Sequence, residues 1–279
     1  MSDAFQVLDV TPDNLCRAPL CGIKDPGHEG RLAKEGWMQT ALQHGLRARV
    51  LLTDEGMQFG YAEWLPGEHA WRGVDAAGYL FLHCIWTYSR RYQHQGHGRR
   101  LIEACLDDAR KAGMFGVATV ARERPWLAGR AIFLKHGFAP VDTAPPDYEL
   151  LVRKLAPSAP NPRFRGDWRR RLKKYGSGLT IVRGVQCPHS IRFSEKIAAE
   201  ATVSYGLTPR VVTLTSWRDA QAAPTPFAVF AVIYNGEIVA DHHVSVRRFK
   251  TLMDRVLSRP PGAVKDMKVN VGTGERRTR

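Results

Sequence analysis

Residues 90–101, RRYQHQGHGRRL, place two glycines, two histidines and four arginines in one short stretch between a predicted strand and a predicted helix. The first backbone N–H groups of a helix have no acceptor within it, and the helix dipole gives them partial positive charge. Such a turn can bind a phosphate, and the arginines add charge suited to a pyrophosphate. The dinucleotide fingerprint GxGxxG fails because Leu101 occupies its last position, and the Gly-Lys-Ser/Thr of a Walker motif is missing.

Residues 93–98, QHQGHG, resemble the Q/R-x-x-G-x-G/A signature of the GNAT superfamily of acyl-CoA N-acyltransferases, and the resemblance covers residues 5–155. It implies a mixed, mostly antiparallel sheet with flanking helices, an α+β fold, and acetyl-CoA as cosubstrate. It also implies that backbone amides of the turn bind the pyrophosphate, while the end of the preceding strand binds the pantetheine arm and the thioester oxygen. The residues that it assigns to acetyl-CoA are Trp86, Thr87, Tyr88, Gln93, Gln95, Gly96, His97, Gly98, Arg99 and Arg100.

The sequence departs from the family's pattern at Phe133 and Ala128. Phe133 stands where the family often has a tyrosine that protonates the leaving thiolate, and Ala128 stands where an asparagine is common. The acid is therefore expected elsewhere or is replaced by water. A catalytically silent CoA sensor is the alternative that this substitution motivates.

Glu63, Glu68, His83 and Cys84 lie on or beside the predicted strands that would border the acyl group. An amine acceptor arrives largely protonated, so transfer needs a base or a water chain beside a polarised carbonyl. Strict strand alternation would place His83 and Cys84 on opposite faces, so that at most one of them faces the thioester. A hydrogen-bonded core role for His83, an inert buried role for Cys84 and ordinary paired or solvated roles for the glutamates remain open.

Cys187 is a candidate thiol site because it directly follows a predicted strand and opens a predicted helix. Helix N–H dipoles at this position lower the pKa of a thiol and leave the sulfur exposed. Residues 187–190, CPHS, resemble the C-x-x-S site of thioredoxin-like proteins, with a cis-proline expected at Pro226 or else at Pro224. Because Ser190 replaces the resolving thiol, thiol recognition, mixed-disulfide chemistry or a structural role is expected rather than dithiol oxidoreduction.

Residues 63–86, EWLPGEHAWRGVDAAGYLFLHCIW, joined to such a second half, resemble the YoaP group of GNAT-type proteins with a C-terminal thioredoxin-like domain. This resemblance implies acetyl transfer without specifying the acceptor. We expect direct transfer to a small-molecule amine or an amino-acid-like acceptor in a ternary complex, with the oligomeric state open.

The chain has 279 residues and a formal net charge of +14, which favours anionic partners such as nucleic acid, a membrane surface or a phosphorylated cofactor. It lacks both an apolar run of membrane-spanning length and the pattern of a secretory signal, so a cytoplasmic protein is expected. Five widely spaced cysteines without a CxxC pair indicate reduced thiols, and no metal site is predicted. His242 and His243 are expected to diverge on a strand as exposed polar residues.

Hydrophobic periodicity predicts a helix over residues 30–45, three strands, and then helix, strand, helix and strand in the first half of the chain. The second half is predicted as strand, helix, three strands and helix, with a hairpin at Asn235. We therefore expect a GNAT domain over residues 1–155 and a smaller thioredoxin-like α/β domain over 178–262. A basic linker over 156–177 and a mobile basic tail over 263–279 complete the prediction.

The basic linker contains RFRGDWRRRLKK. Clustered arginines around Trp168 could neutralise phosphates and stack a base, so a CoA-binding protein or modifier that docks on RNA or ribosomes is an alternative. No recognised nucleic-acid motif accompanies the cluster, which favours a solvated linker or a helix that packs against both domains. A steep loss of nucleic-acid binding with rising salt would identify the RNA alternative.

Overall fold

The computed structural model describes residues 5–88 and 90–258, so the predicted tail over 263–279 lies outside the described residues. Among these residues, every helix is too short or too polar to cross a lipid bilayer. The helices are α1 (Glu29–Gln43), α2 (His97–Lys111), α3 (Arg130–Leu134), α4 (Trp168–Leu172), α5 (His189–Tyr205), α6 (Trp217–Gln221) and α7 (Val246–Leu257). The strands are β1 (Phe5–Asp9), β2 (Arg47–Thr53), β3 (Gln58–Pro66), β4 (Val74–Asp75), β5 (Leu80–Thr87), β6 (Gly116–Ala121), β7 (Ala139–Ala144), β8 (Tyr148–Lys154), β9 (Arg163–Phe164), β10 (Leu179–Gly184), β11 (Arg210–Leu214), β12 (Phe230–Tyr234) and β13 (Glu237–Ala240).

The first half of the chain, residues 5–155, builds a seven-stranded sheet in the order β1-β2-β3-β5-β6-β8-β7. Neighbouring strands are antiparallel except for β5 and β6, which run parallel. The predicted mixed, mostly antiparallel sheet with flanking helices is thereby confirmed. Strands β1 and β7, at the two edges of the sheet, were not predicted, because mostly exposed edge strands carry little hydrophobic signal.

A gap opens between β5 and β6. Residues 80–82 pair with residues 117–119, but β5 continues to Thr87 and β6 to Ala121 with no further pairing between them among the described residues. The main-chain groups of β5 beyond Leu82 therefore have no strand partner on this side. Helix α2 starts after β5 and packs its apolar face, including Cys105, against β5 and β6. The fold thus sets the glycine turn beside an unpaired strand edge.

The second half, residues 178–258, forms a four-stranded sheet in the order β11-β10-β12-β13. Strands β10 and β11 are parallel, whereas β10 with β12 and β12 with β13 are antiparallel. The predicted hairpin is confirmed, since Asn235 and Gly236 both have positive φ between β12 and β13. Helix α6, which was not predicted, has only five residues and begins with a capping box between Ser216 and Asp219.

The predicted cis-proline is not found at either position. Within the described residues the cis peptide bond precedes Pro146, and the bonds before Pro224 and Pro226 are trans. The chain turns toward β12 through Ala228, which has a φ of 63° and whose N–H is accepted by the Thr225 hydroxyl at 3.3 Å. The prediction was wrong because this left-handed residue supplies the turn.

The two halves share their hydrophobic interior. Phe81 of β5 and Phe230 of β12 belong to one buried cluster, and Tyr61 of β3 and Ala231 of β12 belong to another. Helix α1 approaches the start of α5 so closely that a Cβ on Gly30 would lie 2.0 Å from the carbonyl oxygen of Pro188. A side chain at this position would therefore separate the two helices.

The predicted basic linker contains β9, which pairs with β4, and the short helix α4. Arg171 donates to the carbonyl oxygens of Gln221 and Ala223 at 2.6 and 3.0 Å. Trp168 lies against Gly73, where a Cβ would come within 2.6 Å of its ring. The segment therefore packs against both halves, and part of its charge is used inside the protein instead of facing a phosphate.

Candidate active site

A cavity of about 530 Å³ is lined by residues of both halves. Its walls include the ends of β3 and β5, the gap beside β6, and the turn that leads into α5. The lining residues that the sequence analysis singled out are Glu63, His83, Cys84, Trp86, Thr87, Tyr88, Gln93, Ala128, Phe133 and Cys187. Lining residues that it did not propose as site residues include Cys21, Lys34, Arg72, Gln186 and His189.

A bulge in β5 brings His83 and Cys84 to the same cavity. Glu63 pairs with Cys84, and the next residue, Trp64, pairs with Leu82, so His83 is the extra residue on β5. A bulge interrupts strand alternation at one position and changes the direction of the side chains beside it. The prediction that His83 and Cys84 face opposite sides was wrong for this reason, and both line the cavity.

Glu63 is fully buried and forms an ion pair with Lys34 of α1, whose side chain is 1% exposed. The Tyr61 hydroxyl donates to the same carboxylate oxygen at 2.5 Å, and Gln186 of the second half donates to the other oxygen. Burial and the nearby Glu63 charge raise the pKa of Tyr61 well above its usual value, so the phenol stays protonated. Lys34 lies one helical turn after Gly30. The close approach of α1 to α5 at Gly30 therefore helps to bring the ammonium group of Lys34 to Glu63.

Arg72 is 3% exposed and lines the cavity. Its Nη1 donates to the Trp71 carbonyl oxygen at 2.7 Å and to Gln186 Oε1 at 3.4 Å, and its Nη2 donates to the His83 carbonyl oxygen at 3.1 Å. The guanidinium carbon lies 5.3 Å from the centre of the Phe227 ring. These contacts fix the orientation of a buried cation at the cavity wall.

His83 is buried, and its Nε2 accepts the Trp71 backbone N–H at 2.7 Å. A backbone N–H is always a donor, so Nε2 carries no proton and the neutral ring holds its proton on Nδ1. Burial, with the positive charges of Arg72 and Lys34, lowers the pKa of His83 well below its usual value. The ring is therefore suited to donate a hydrogen bond from Nδ1, and it is a poor general base.

The cavity thiols are protonated. Burial is the main cause that raises the pKa of Cys84 to about 12 and raises the pKa values of Cys187 and Cys21. For Cys187 the His189 N–H and the charges of Lys34 and Arg72 act in the predicted direction, but burial outweighs them. The prediction of a lowered pKa at Cys187 was wrong because the second half packs onto the first and removes water from the sulfur.

Glu68 lies outside the cavity, in a 3-10 turn at Gly67–His69 that follows β3. Its side chain is exposed and its Oε1 accepts the Gly78 N–H at 2.9 Å. This contact ties together the two ends of the loop that leads into β5. The structure removes Glu68 from the candidate site because β3 ends before its side chain could reach the cavity.

The turn before α2 leaves its backbone amides open. Gly96 is the N-cap residue with a φ of 82°, a conformation that favours glycine, and no side chain of the described residues caps the helix. The first helical hydrogen bond joins the Arg100 N–H to the Gly96 carbonyl, so the N–H groups of His97, Gly98 and Arg99 precede the helical ladder. A Cβ on Gly98 would lie 2.8 Å from Ile132, which keeps this position small.

The side chains of this turn divide into two groups. The His97 ring is buried against Phe5 and Phe59, with centroid distances of 5.1 and 4.9 Å, so this residue can offer a ligand its N–H and not its ring. Gln93, Gln95, Arg99 and Arg100 are exposed. Gln93 also lines the cavity, which makes the turn continuous with it.

Phe133 lies in the cavity wall and is 1% exposed, packed against Phe138 at a centroid distance of 5.5 Å. Its phenyl ring has no proton to give to a leaving group. Ala128 lines the same wall.

Comparison with known proteins adds a family likeness. A family model described as YoaP-like matches residues 210–251, which run from β11 into α7. Over 258 residues the chain is 26% identical to the protein named "Uncharacterized N-acetyltransferase YoaP" of Bacillus subtilis (strain 168), covering 88% of this chain and 98% of that one. The name of this relative agrees with the predicted enzyme class, an N-acetyltransferase.

Solved structures of GNAT proteins also match. A putative streptothricin acetyltransferase from Bacillus anthracis str. Ames, in complex with acetyl coenzyme A, is 13% identical with a TM-score of 0.39, and covers 55% of this chain and 100% of its own. The GNAT family N-acetyltransferase YhbS from Escherichia coli, in complex with CoA, is 16% identical with a TM-score of 0.38, and covers 57% of this chain and 89% of its own.

Proposed function

We propose that this N-acetyltransferase moves acetyl from acetyl-CoA directly to the amine of a small molecule in a ternary complex. The observation that carries the proposal is the continuity of three features. The uncapped turn at Gly96, the unpaired edge of β5 and the cavity that contains Glu63 follow one another without interruption, because Gln93 and Trp86 line the same cavity as Glu63.

The donor would bind along the first two features. The N–H groups of His97, Gly98 and Arg99 form a positively polarised site for the pyrophosphate, and the exposed side chains of Arg99 and Arg100 add charge. The free edge of β5 at Trp86 and Thr87 offers main-chain groups to the amides of the pantetheine arm. An N–H of this edge would polarise the thioester carbonyl.

Transfer requires the amine to lose a proton before it attacks. Glu63 is the one carboxylate among the cavity's described lining residues, and we assign it the role of accepting that proton, directly or through water. The neutral amine nitrogen then forms a bond to the thioester carbon and releases its second proton to water, the carbon–sulfur bond breaks, and coenzyme A leaves as a thiolate. Because Phe133 replaces the usual tyrosine, the thiolate takes its proton from water.

We assign the second half, residues 178–262, to a thioredoxin-like domain that closes the acceptor side of the cavity, with 1–155 as the GNAT domain and 156–177 as the basic linker. The order β-α-β-α-β-β-α and the mixed sheet β11-β10-β12-β13 support this assignment. Ser190 donates to the Val229 carbonyl oxygen at 3.0 Å and contacts His243 Nε2 at 2.9 Å, which favours a structural role for the C-x-x-S segment. Gln186 carries the domain's direct contribution to the site through Glu63.

A matched pair of glycine variants tests the donor site. Gly96 and Gly113 lie at opposite ends of α2, both have positive φ, and a methyl group added at either position would have no neighbouring atom within 4 Å. Each alanine variant should therefore incur a similar strain of about 1–2 kcal/mol. We expect Gly96→Ala to weaken calorimetric binding of acetyl-CoA by at least about tenfold, a loss of about 1.4 kcal/mol, while Gly113→Ala binds as the wild type does.

Equal binding by both variants, or no heat with acetyl-CoA in the wild type, would contradict the donor site. Thiol release from acetyl-CoA over a panel of amines and amino acids then tests transfer itself. Release at the background rate with every acceptor would favour the silent CoA sensor.

A further inference from the structure

We propose that Arg72 and His83 form a carboxylate-binding site in the cavity, so that the acceptor is an amine that also carries a carboxylate, such as an amino acid. The identity of the reaction rests on the function proposed above. The binding site itself rests on buried polar groups that have no hydrogen-bond partner among the described residues.

Arg72 has more donors than acceptors around it. A guanidinium group has five N–H donors, and the acceptors of Arg72 are the Trp71 and His83 carbonyl oxygens and Gln186 Oε1. Its Nε is completely buried and has no hydrogen-bond partner among the described residues. Nη2 donates one of its two hydrogens to the His83 carbonyl oxygen. A planar carboxylate can accept two parallel bonds from one edge of a guanidinium group.

Arg72 also lacks a counter-charge. No carboxylate of the described residues forms an ion pair with it, and the carboxylate that lines the same cavity, Glu63, is paired with Lys34. Taking an unpaired cation out of water costs several kcal/mol, so buried charges are usually paired. A ligand anion would supply the missing partner.

His83 supplies a second unused donor in the same place. Its Nδ1 carries the ring proton, is buried, and has no partner among the described residues. The His83 ring and the Arg72 guanidinium group are tied together, because Arg72 Nη2 donates to the His83 carbonyl oxygen and both contact Trp71. The two unpaired donors thus belong to one rigid unit that lines the cavity.

The charge of the cavity matches one carboxylate. Lys34, Glu63 and Arg72 together give a net charge of +1, and burial lowers the pKa values of the lining histidines His83 and His189, which keeps both neutral near pH 7. A single negative charge on the ligand neutralises this set.

Gln186 sets the distance between the proposed sites for the carboxylate and the amine of such an acceptor. Its Oε1 accepts from Arg72 Nη1 at 3.4 Å, and its Nε2 donates to Glu63. Arg72 and Glu63 are therefore separated by one side-chain amide, a span comparable with that between the amine and the carboxylate of a small amino acid. A carboxylate at Arg72 would leave the amine beside Glu63, the proposed proton acceptor.

A carboxylate could also come from the acyl group of a donor such as succinyl-CoA, and the test separates the two sources. Wild type, Arg72→Met and the control Arg171→Met are assayed with amino acids and with the matching carboxamides, which keep the amine and lose the charge. Arg171 is a suitable control because it donates to main-chain carbonyls at a distance from the cavity lining. The same proteins are assayed with acetyl-CoA and succinyl-CoA.

We expect wild type and Arg171→Met to prefer amino acids over their carboxamides by at least about tenfold in kcat/KM, which corresponds to about 1.4 kcal/mol. Arg72→Met should abolish this preference and leave the KM for acetyl-CoA unchanged. The contrary result is that Arg72→Met loses a preference for succinyl-CoA over acetyl-CoA and keeps the preference for amino acids over carboxamides. That result would show that Arg72 binds the carboxylate of the acyl donor, and it would overturn the acceptor assignment. If Arg72→Met keeps the wild-type preference among acceptors and among acyl-CoA donors, Arg72 does not bind a substrate carboxylate and the proposal is refuted.

Thermal melting separates this site from the proposed reaction. Amino acids should raise the melting temperature of the wild type more than their carboxamides do, and Arg72→Met should lose the difference, even if no acceptor is acetylated. If Arg72→Met does not fold, Arg72→Lys keeps the charge without the Nε donor and should reduce the difference. Equal shifts by amino acids and carboxamides in the wild type would refute carboxylate binding.

Discussion

Replacing Lys34 by methionine should lower the free energy of unfolding by about 3–5 kcal/mol, the range measured when one partner of a buried ion pair is removed. Lys34 and Glu63 are 1% and 0% exposed, so water cannot replace the lost ammonium group. Glu63 would keep the Tyr61 hydroxyl and the Gln186 amide as donors, but no positive charge in direct contact. Methionine preserves most of the contact with the Trp37 ring, over which the ammonium nitrogen lies at 4.2 Å.

A double-mutant cycle assigns this loss to the charge pair. Glu63→Gln alone leaves a buried ammonium group without its carboxylate and should cost a similar free energy. The double variant buries no charge at either position, so it should be more stable than either single variant by at least about 1 kcal/mol. Urea unfolding followed by tryptophan fluorescence and by circular dichroism measures the three losses.

Two results would refute this reasoning. Single losses below about 1 kcal/mol would match a solvent-exposed pair and contradict the burial of both groups. A double-variant loss equal to the sum of the single losses would show that Lys34 and Glu63 do not interact.

The remaining predictions concern pH, proton transfer and the thiols. The free energy of unfolding should fall as the pH drops below about 6.5, by up to about 1.4 kcal/mol per pH unit for each of His83 and His243. The reason is that burial lowers the pKa values of both histidines well below normal in the folded state, while the unfolded chain still takes up protons. Urea titrations from about pH 7 to pH 5 check this, and constant stability would contradict it. Glu63→Gln should lower kcat by about 10²–10⁴-fold and leave acetyl-CoA binding unchanged by calorimetry, as loss of a general base requires; an unchanged kcat would point to water as the base. Iodoacetamide should alkylate the exposed Cys16 before Cys84 and Cys187, because burial raises the pKa values of Cys84 and Cys187. Peptide mass spectrometry gives the order of labelling. Labelling of Cys187 before Cys16 would restore the hypothesis of a reactive thiol at Cys187. Cys187→Ser should correspondingly leave the rate and the acceptor range unchanged.

The glycine turn before α2 could be recognised from the sequence because its properties are local. The φ of Gly96 and the open amides of His97 and Gly98 follow from a strand, a glycine and the start of a helix, all within a few residues. The order of most strands and helices also followed from periodicity along the chain. The missed elements, which include β1, β7 and α6, are short or largely exposed and carry little apolar signal.

The cavity wall that contains Lys34, Arg72 and Gln186 could not be predicted in the same way. Lys34, Arg72 and Gln186 look like ordinary polar residues of a helix and two loops, and their roles depend on burial by distant segments. His243 was expected to be exposed, but it is buried against Trp126 and Phe230, with centroid distances of 4.5 and 4.6 Å. That expectation was wrong because the residue follows β13 and faces the contact between the two halves.

The sequence by itself determined the glycine turn before α2, the mixed order of strands and helices, and the resemblance to acetyl-CoA-dependent enzymes. Only the tertiary structure decided which charged groups lose water, which nitrogen of His83 holds the proton, and that Cys187 is protonated. The physical reason is that helix starts and turns depend on neighbouring residues, whereas desolvation and hydrogen-bond partners depend on segments that meet only when the chain folds.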